Sequence, residues 1–163
     1  MEKGDRGGMI KELEAEKILK DKGINYRLIS LSEKGISFEE VVKYAKDEIN
    51  PDEICKTIIV KDKKDNKFAF LLKGNKKIDF SKVKEVIGSK ASIVSYEDLK
   101  KATGTEPGAV CPLLLNMPIF VDKQVLELKK IHFGSGDHLF GIEIKTEDLE
   151  KVIKFKTVDA ALS

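Results

Sequence analysis

Cysteine is scarce in this chain of 163 residues: Cys55 and Cys111 stand far apart and have no C-x-x-C spacing. That argues against a disulfide framework or a cysteine-rich zinc site and points to a reducing compartment. Long apolar runs are also missing, with nothing approaching the roughly 18 residues of a membrane span. The opening MEKGDRGGMI lacks the apolar stretch of a secretory signal and reads as a flexible tail over residues 1–8. There is no phosphate loop of the G-x-x-x-x-G-K-[ST] type and no G-x-G-x-x-G after a strand. H-E-x-x-H and G-x-S-x-G are absent as well. Repeats, linkers and low-complexity tracts are missing too, so a single domain is expected over residues 9–163, in a soluble, cytoplasmic protein.

Charge, by contrast, is abundant. Charged residues make up 36% of the chain against 41% hydrophobic, with a net charge of only +2. The distribution says more than the total. Between Lys56 and Lys77 eight lysines face two acids, Asp62 and Asp65. Such an excess suits a solvated surface of the kind found in heat-tolerant proteins. It equally suits a strip that receives phosphates and releases their counterions.

Periodicity predicts an α+β domain. KELEAEKILKDKG, starting at Lys11, reads as a charged helix stopped by Gly23, and INYRLISL as a strand. Ser37 with Glu40 makes an S-x-x-E box for a helix with Phe38, Val41, Val42, Ala45 and Ile49 on one face, ended by NPDE. KTIIVKD and KFAFLLKG form a strand pair about KKDN, apolar on successive residues and therefore buried on both faces. DFSKVKEVIG and YEDLKKATG are helices ending in glycine, with the strand ASIVS between them. TEPGAVCPLLLNMPIFVD carries three of the four prolines and reads as a loop feeding a strand at Ile119 to Val121. KIHFGSGDHLFGIEI is two strands about a glycine-rich turn, and Thr146 caps a last helix, EDLEKVI. The irregular alternation, with hairpins among it, implies a mixed sheet rather than a doubly wound fold.

His132, Asp137 and His138 in HFGSGDH resemble a metal cluster, but a hairpin turn with an exposed aspartate accounts for them, and no metal is expected. Cys55 lies beside Lys56, yet neighbours in a strand point to opposite faces, so a packed thiol is favoured over a reactive one. Lys56 opens a buried strand in EICKTIIV. Its ammonium needs water, an anion or a partner, because burial without one is costly or removes its proton. Taken singly, Lys56 is a strand-end lysine that snorkels to water, and GAVCP is an ordinary turn.

Their order carries more information. KTIIV, then TGTEPGAVCP, IFVD, GSGDHLFGIEI and TEDL together resemble the YbaK and prolyl-tRNA-synthetase-associated domain family, from about Lys11 to Ile153. The resemblance implies a largely antiparallel, partly open and barrel-like sheet flanked by helices, and an aminoacyl-tRNA deacylase acting in trans, most closely on tRNA(Pro) carrying cysteine or alanine. Some relatives act on serine or threonine esters. It implies Lys56 as the catalytic lysine. Thr57, the G-x-x-x-P loop of Gly108, Ala109, Val110, Cys111 and Pro112, and the turn of Gly134, Ser135, Gly136 and Asp137 would form the substrate site. Many relatives carry a small hydroxyl residue where this chain has Cys111.

An ester to the terminal ribose is activated, so a water needs only orientation and the developing oxyanion a few donors. Amides of Gly108, Ala109 and Val110 are assigned that part, since glycine admits close approach. Lys56 is assigned as an anchor for the terminal adenosine rather than a general base. Lys61, Lys63, Lys64, Lys73, Lys76 and Lys77 are candidates for tRNA contacts. The expected partners are the mischarged acceptor end and prolyl-tRNA synthetase, with no cofactor, DNA or membrane. A module of the same fold that binds charged tRNA without turnover is the alternative, and a general esterase a weaker one.

Overall fold

The computed structural model describes residues 12–163, so the tail expected at residues 1–8 and the start of the first helix at Lys11 lie outside the described residues. Turn chemistry delimits most elements. Helix α1 (Glu14–Asp21) is followed by Gly23 at φ +69° and strand β1 (Tyr26–Ser30). Helix α2 (Phe38–Tyr44) starts at Ser37, whose hydroxyl accepts the Glu40 N–H at 3.2 Å. Strands β2 (Cys55–Asp62) and β3 (Lys67–Lys73) pair antiparallel. In their turn the Asp62 carboxylate accepts the amides of Lys64 and Asn66, while Asp65 takes φ +65°.

Helix α3 (Phe80–Ile87) is capped by Asp79 and strand β4 is Ala91–Ile93. Helix α4 (Tyr96–Thr103) is capped by Ser95 and closed by Gly104. After the proline-bearing loop come β5 (Ile119–Asp122), α5 (Lys123–Leu126), β6 (Lys130–Gly134), β7 (Phe140–Lys145), α6 (Leu149–Val152) and β8 (Lys156–Val158).

The strands form two open sheets rather than a closed barrel. One has the order β1-β7-β6 and is antiparallel throughout; the other runs β4-β2-β3-β5-β8, with β3–β5 and β5–β8 parallel. A parallel bridge between Ile54 and His132 joins them at one corner. Between the sheets lies the main core, with Ile59, Leu71, Val121, Phe133 and Ile142. Val60, Phe70, Leu72 and Val83 fill a second cluster on the far face of the larger sheet. The pair β2–β3 is thus covered on both sides, as its unbroken apolar runs require. A third cluster of Ile29, Leu31, Val41 and Ile54 packs α2 against the smaller sheet.

Three local expectations differ. Helix α2 ends at Tyr44, before NPDE, because Ala45 turns to ψ 127° and bridges Leu31; Val42 is left exposed. The carboxylate of Glu40 accepts the amide of Ile36 at 3.2 Å rather than that of the cap Ser37. Thr146 caps nothing: its buried hydroxyl has no partner, and the segment is a 3-10 turn (Thr146–Asp148) leading into α6. Helix α5 and strand β8 were not anticipated, being too short for a period to show.

Asp122 ties the carboxyl-terminal strand down. Its buried carboxylate accepts the amides of Gln124 at 3.1 Å, Ala160 at 2.8 Å and Ala161 at 3.2 Å. Asp122→Ala would strand these donors, so thermal unfolding is expected to show a loss of about 3 kcal/mol, roughly 6–12 °C in Tm. A midpoint shift under about 2 °C would refute this role.

Candidate active site

A cavity of about 410 Å³ opens where β2 begins, between α2, the segment after β3 and the loop that follows α4. Lys56, Thr57, Pro107, Gly108, Val110 and Gly134 all line it. The strand-opening lysine, the glycine of the G-x-x-x-P loop and the first glycine of the later turn therefore share one hollow, although they are far apart in the chain.

Lys56 is half-buried, and no carboxylate approaches its ammonium within 4 Å among the described residues. Burial lowers its pKa below the ordinary lysine value; Glu39 opposes that shift and Lys77 adds to it. An ammonium held in a cavity with no carboxylate within 4 Å, Glu39 acting on it only from farther off, is suited to an incoming anion. The Thr57 hydroxyl is also buried without a hydrogen-bond partner. Cys55 packs into the main core, where burial pushes its thiol up to about 12, in keeping with an inert thiol.

The loop is locked by close backbone approach. Gly108 has φ +87°, and a Cβ there would lie 2.2 Å from the Gly35 oxygen and 2.8 Å from Ile36 Cα. A Cβ on Gly134 would meet the Val110 oxygen at 2.5 Å. The Gly136 N–H donates to the Ala109 oxygen at 2.7 Å, which fastens the turn to the loop. The Ala109 N–H donates to the Glu106 oxygen at 3.2 Å, so the three-amide set must lose it. The amides of Gly108 and Val110 make no hydrogen bond among the described residues.

Several residues expected in the substrate site lie behind the cavity wall instead. Ala109, Cys111 and Pro112 are buried, and burial holds the Cys111 thiol up near about 12 within the main core. Cys111 thus points into apolar packing rather than toward a substrate. Pro112 opens a 3-10 turn, Pro112–Leu114. Ser135 donates to the Phe140 oxygen at 2.6 Å and accepts the Asp137 amide, while the Asp137 carboxylate accepts the Leu139 amide. Ser135, Gly136 and Asp137 are scaffold for the loop, not cavity lining.

The lysines divide. Lys76 and Lys77 line the cavity beside Lys56. Lys61 and Lys63 lie at the other end of β2, where Lys61 pairs with Asp98 at 3.6 Å. Lys64 is exposed in the hairpin turn, and Lys73 stands across from Cys55 in the ladder.

Gly74, Ile36 and Glu39 also line the cavity and were missed. A Cβ on Gly74 would lie 2.5 Å from the Phe38 ring, so its glycine directly after the KFAFLLK run was the available signal. Glu106, at the loop's stem, is held below the usual carboxylate range by the Tyr96 hydroxyl, with Lys34 and His138 adding to the effect. Among the described residues no group of three or more His, Cys, Asp or Glu is placed to hold a metal ion. No described helix is long and apolar enough to cross a membrane.

A family model described as an aminoacyl-tRNA editing domain matches residues 33–152. The proline–tRNA ligase of Caldicellulosiruptor bescii is 31% identical over 123 residues, and that of Caldicellulosiruptor saccharolyticus 28% over 121. Each match covers 73% of this chain and 20% of the ligase, so the chain spans about a fifth of these curated relatives. Among solved structures, a hypothetical protein superposes with TM-score 0.79 at 24% identity, covering 90% of this chain and 98% of its own. A candidate trans-editing enzyme for prolyl-tRNA synthetase gives 0.75 at 18%, covering 90% and 94%. At such identities these two likenesses establish the fold alone.

Proposed function

This chain belongs to the aminoacyl-tRNA editing domain family, and on that footing we propose that it hydrolyses the ester of mischarged tRNA in trans. The substrate in this reading is tRNA(Pro) carrying cysteine or alanine, with prolyl-tRNA synthetase as a partner. One observation carries the reading: Lys56, which makes no ion pair among the described residues, faces the same cavity as the loop at Gly108.

In this mechanism the acceptor end enters the cavity and its terminal phosphate or ribose meets the Lys56 ammonium. The carbonyl oxygen lies against the amides of Gly108 and Val110, whose hydrogen-bonding capacity is otherwise unused. Water adds to the carbonyl carbon as it gives up a proton to solvent, negative charge collects on that oxygen, and collapse breaks the ester bond and expels the ribose hydroxylate, which takes a proton back from solvent. The products are free amino acid and uncharged tRNA. Preorganised donors at a developing oxyanion lower the barrier by about 3–4 kcal/mol each, enough without a side-chain nucleophile because the ester is activated.

Release of free amino acid from a panel of charged tRNAs, beside a chromogenic ester, tests this directly. Turnover of tRNA esters with none of the chromogenic ester supports it. Tight binding of charged tRNA without turnover would favour the non-catalytic module instead.

The lysines give a separate prediction. Neutralising Lys76 and Lys77 at the cavity mouth should reduce the salt slope of tRNA binding by about 1 for each phosphate that is no longer paired. Neutralising Lys61 and Lys63 is expected to act likewise if the acceptor stem runs along β2. An unchanged slope would return that pair to the solvated surface.

A further inference from the structure

We propose that a recess behind the cavity receives the side chain of the aminoacyl group and that His132 reads a hydroxyl or thiol on its β-carbon, so that seryl and cysteinyl esters are hydrolysed in preference to alanyl. The proposal rests on the deacylase reading above and names the substrates of that same site.

The recess measures about 20 Å³ and shares Val41, Ile54, Cys55, Gly108 and Gly134 with the cavity. It holds about one water-sized group. A single heavy atom beyond a β-carbon fits it, whereas a branched or cyclic side chain does not. Most of its wall is apolar, with Leu31, Phe133 and Phe140 contributing.

Apart from His138, the polar ring in its wall is that of His132. It stands on β6 between the core residues Ile131 and Phe133, so strand alternation turns it toward the α2 side, where the recess lies. The residue is 4% exposed, and its Nδ1 has no hydrogen-bond partner. Its ring lies against Gly141 so closely that a Cβ there would be 1.9 Å from Nε2. The ring position is thereby fixed by the missing side chain opposite. Burial holds the imidazole neutral, with its pKa down to about 4 against the weaker pull of Glu143. A neutral imidazole offers one N–H and one lone pair. Hydroxyls and thiols match either; a methyl matches neither. Buried polar atoms without partners are rare in proteins and call for an explanation. His138 also lines the recess, and its Nε2 is likewise buried without a hydrogen-bond partner, but the Glu106 carboxylate lies 3.8 Å from it, whereas no carboxylate comes within 4 Å of the His132 ring nitrogens among the described residues.

The test measures kcat/KM on tRNA(Pro) charged with alanine, serine, cysteine or threonine. Wild type is expected to favour serine and cysteine over alanine by about tenfold, with threonine slowed by its extra methyl. His132→Phe should bring the ratios of the seryl and cysteinyl rates to the alanyl rate down to about one. His132→Gln, which keeps a donor and an acceptor, should restore part of the preference. Equal wild-type rates for alanine and serine would overturn the assignment without any variant. So would a His132→Phe loss shared equally by all four esters. Hydrolysis of none of them would overturn the deacylase reading itself.

Discussion

Replacing Lys56 by methionine is expected to lower deacylation of a mischarged tRNA by about two to three orders of magnitude, on the scale of one electrostatic interaction removed from a transition state. The fold should survive. Lys56 makes no ion pair among the described residues, and its methylene stem is replaced by one of similar length. Burial already disfavours its charge, as the lowered pKa records. A lysine whose folded pKa lies below its unfolded value costs stability wherever it is forced to hold a proton, that is at pH below the folded pKa. The cost fades as pH rises toward the ordinary value of 10.5. At neutral pH the variant should therefore unfold at the same temperature as wild type or higher, and the difference should vanish at strongly alkaline pH.

Activity has the opposite dependence. It needs the ammonium, so turnover corrected for spontaneous ester hydrolysis should fall on an alkaline limb lying below the ordinary lysine range. Wild-type turnover by Lys56→Met would remove Lys56 from the mechanism.

Gly108→Ala should damage both fold and activity. The residue sits at φ +87°, and the added methyl would meet the Gly35 oxygen at 2.2 Å, a backbone atom that cannot swing aside. Left-handed strain alone costs about 1–2 kcal/mol; separating the loop from the 35–36 segment adds to it. A total of about 2–4 kcal/mol lowers Tm by roughly 5–15 °C for a chain of this size. The amides of Gly108 and Val110 move with the loop, so activity should fall at least about a hundredfold.

Gly104→Ala is the matching control. Gly104 has φ +74°, but a Cβ there meets nothing within 4 Å. It carries the strain without the collision, so a stability loss of about 1 kcal/mol with activity retained is expected. If Gly108→Ala behaved no worse than Gly104→Ala, the close approach to residues 35–36 would have no part in shaping the site.

Much of the fold was legible because its signals are local. Asp79, Ser95 and Ser37 accept helix amides, and Gly88 and Gly104 end helices, where capping rules place them. The β2–β3 hairpin follows from two apolar runs about a polar turn. Strand β8 was not legible: KTV has no period, and it is a strand only because β5 lies alongside. The early end of α2 is likewise a tertiary event, since Ala45 leaves the helix to bridge Leu31.

The candidate site divides in the same way. Lys56 and Gly108 were readable only together: each alone fits a bland reading, a strand-end lysine and an ordinary turn, and it is the order of KTIIV, TGTEPGAVCP and the later motifs that singles them out. Which residues around them face the cavity was not readable. Cys111 turns into the core, Ala109 engages Glu106 through its amide, and Ser135 satisfies its own turn, and the packing that decides each is distant in the chain.

By itself the sequence determined most of the elements and the Ser37 cap, because those depend on neighbours within a few positions, and the order of its motifs singled out Lys56 and Gly108. Only the tertiary structure decided that they meet in one hollow, that Gly74 and Gly134 close its walls, and that a buried imidazole lies behind it. Those outcomes arise from backbones and side chains pressed against glycines by the packing of two sheets, and no local pattern encodes such an approach.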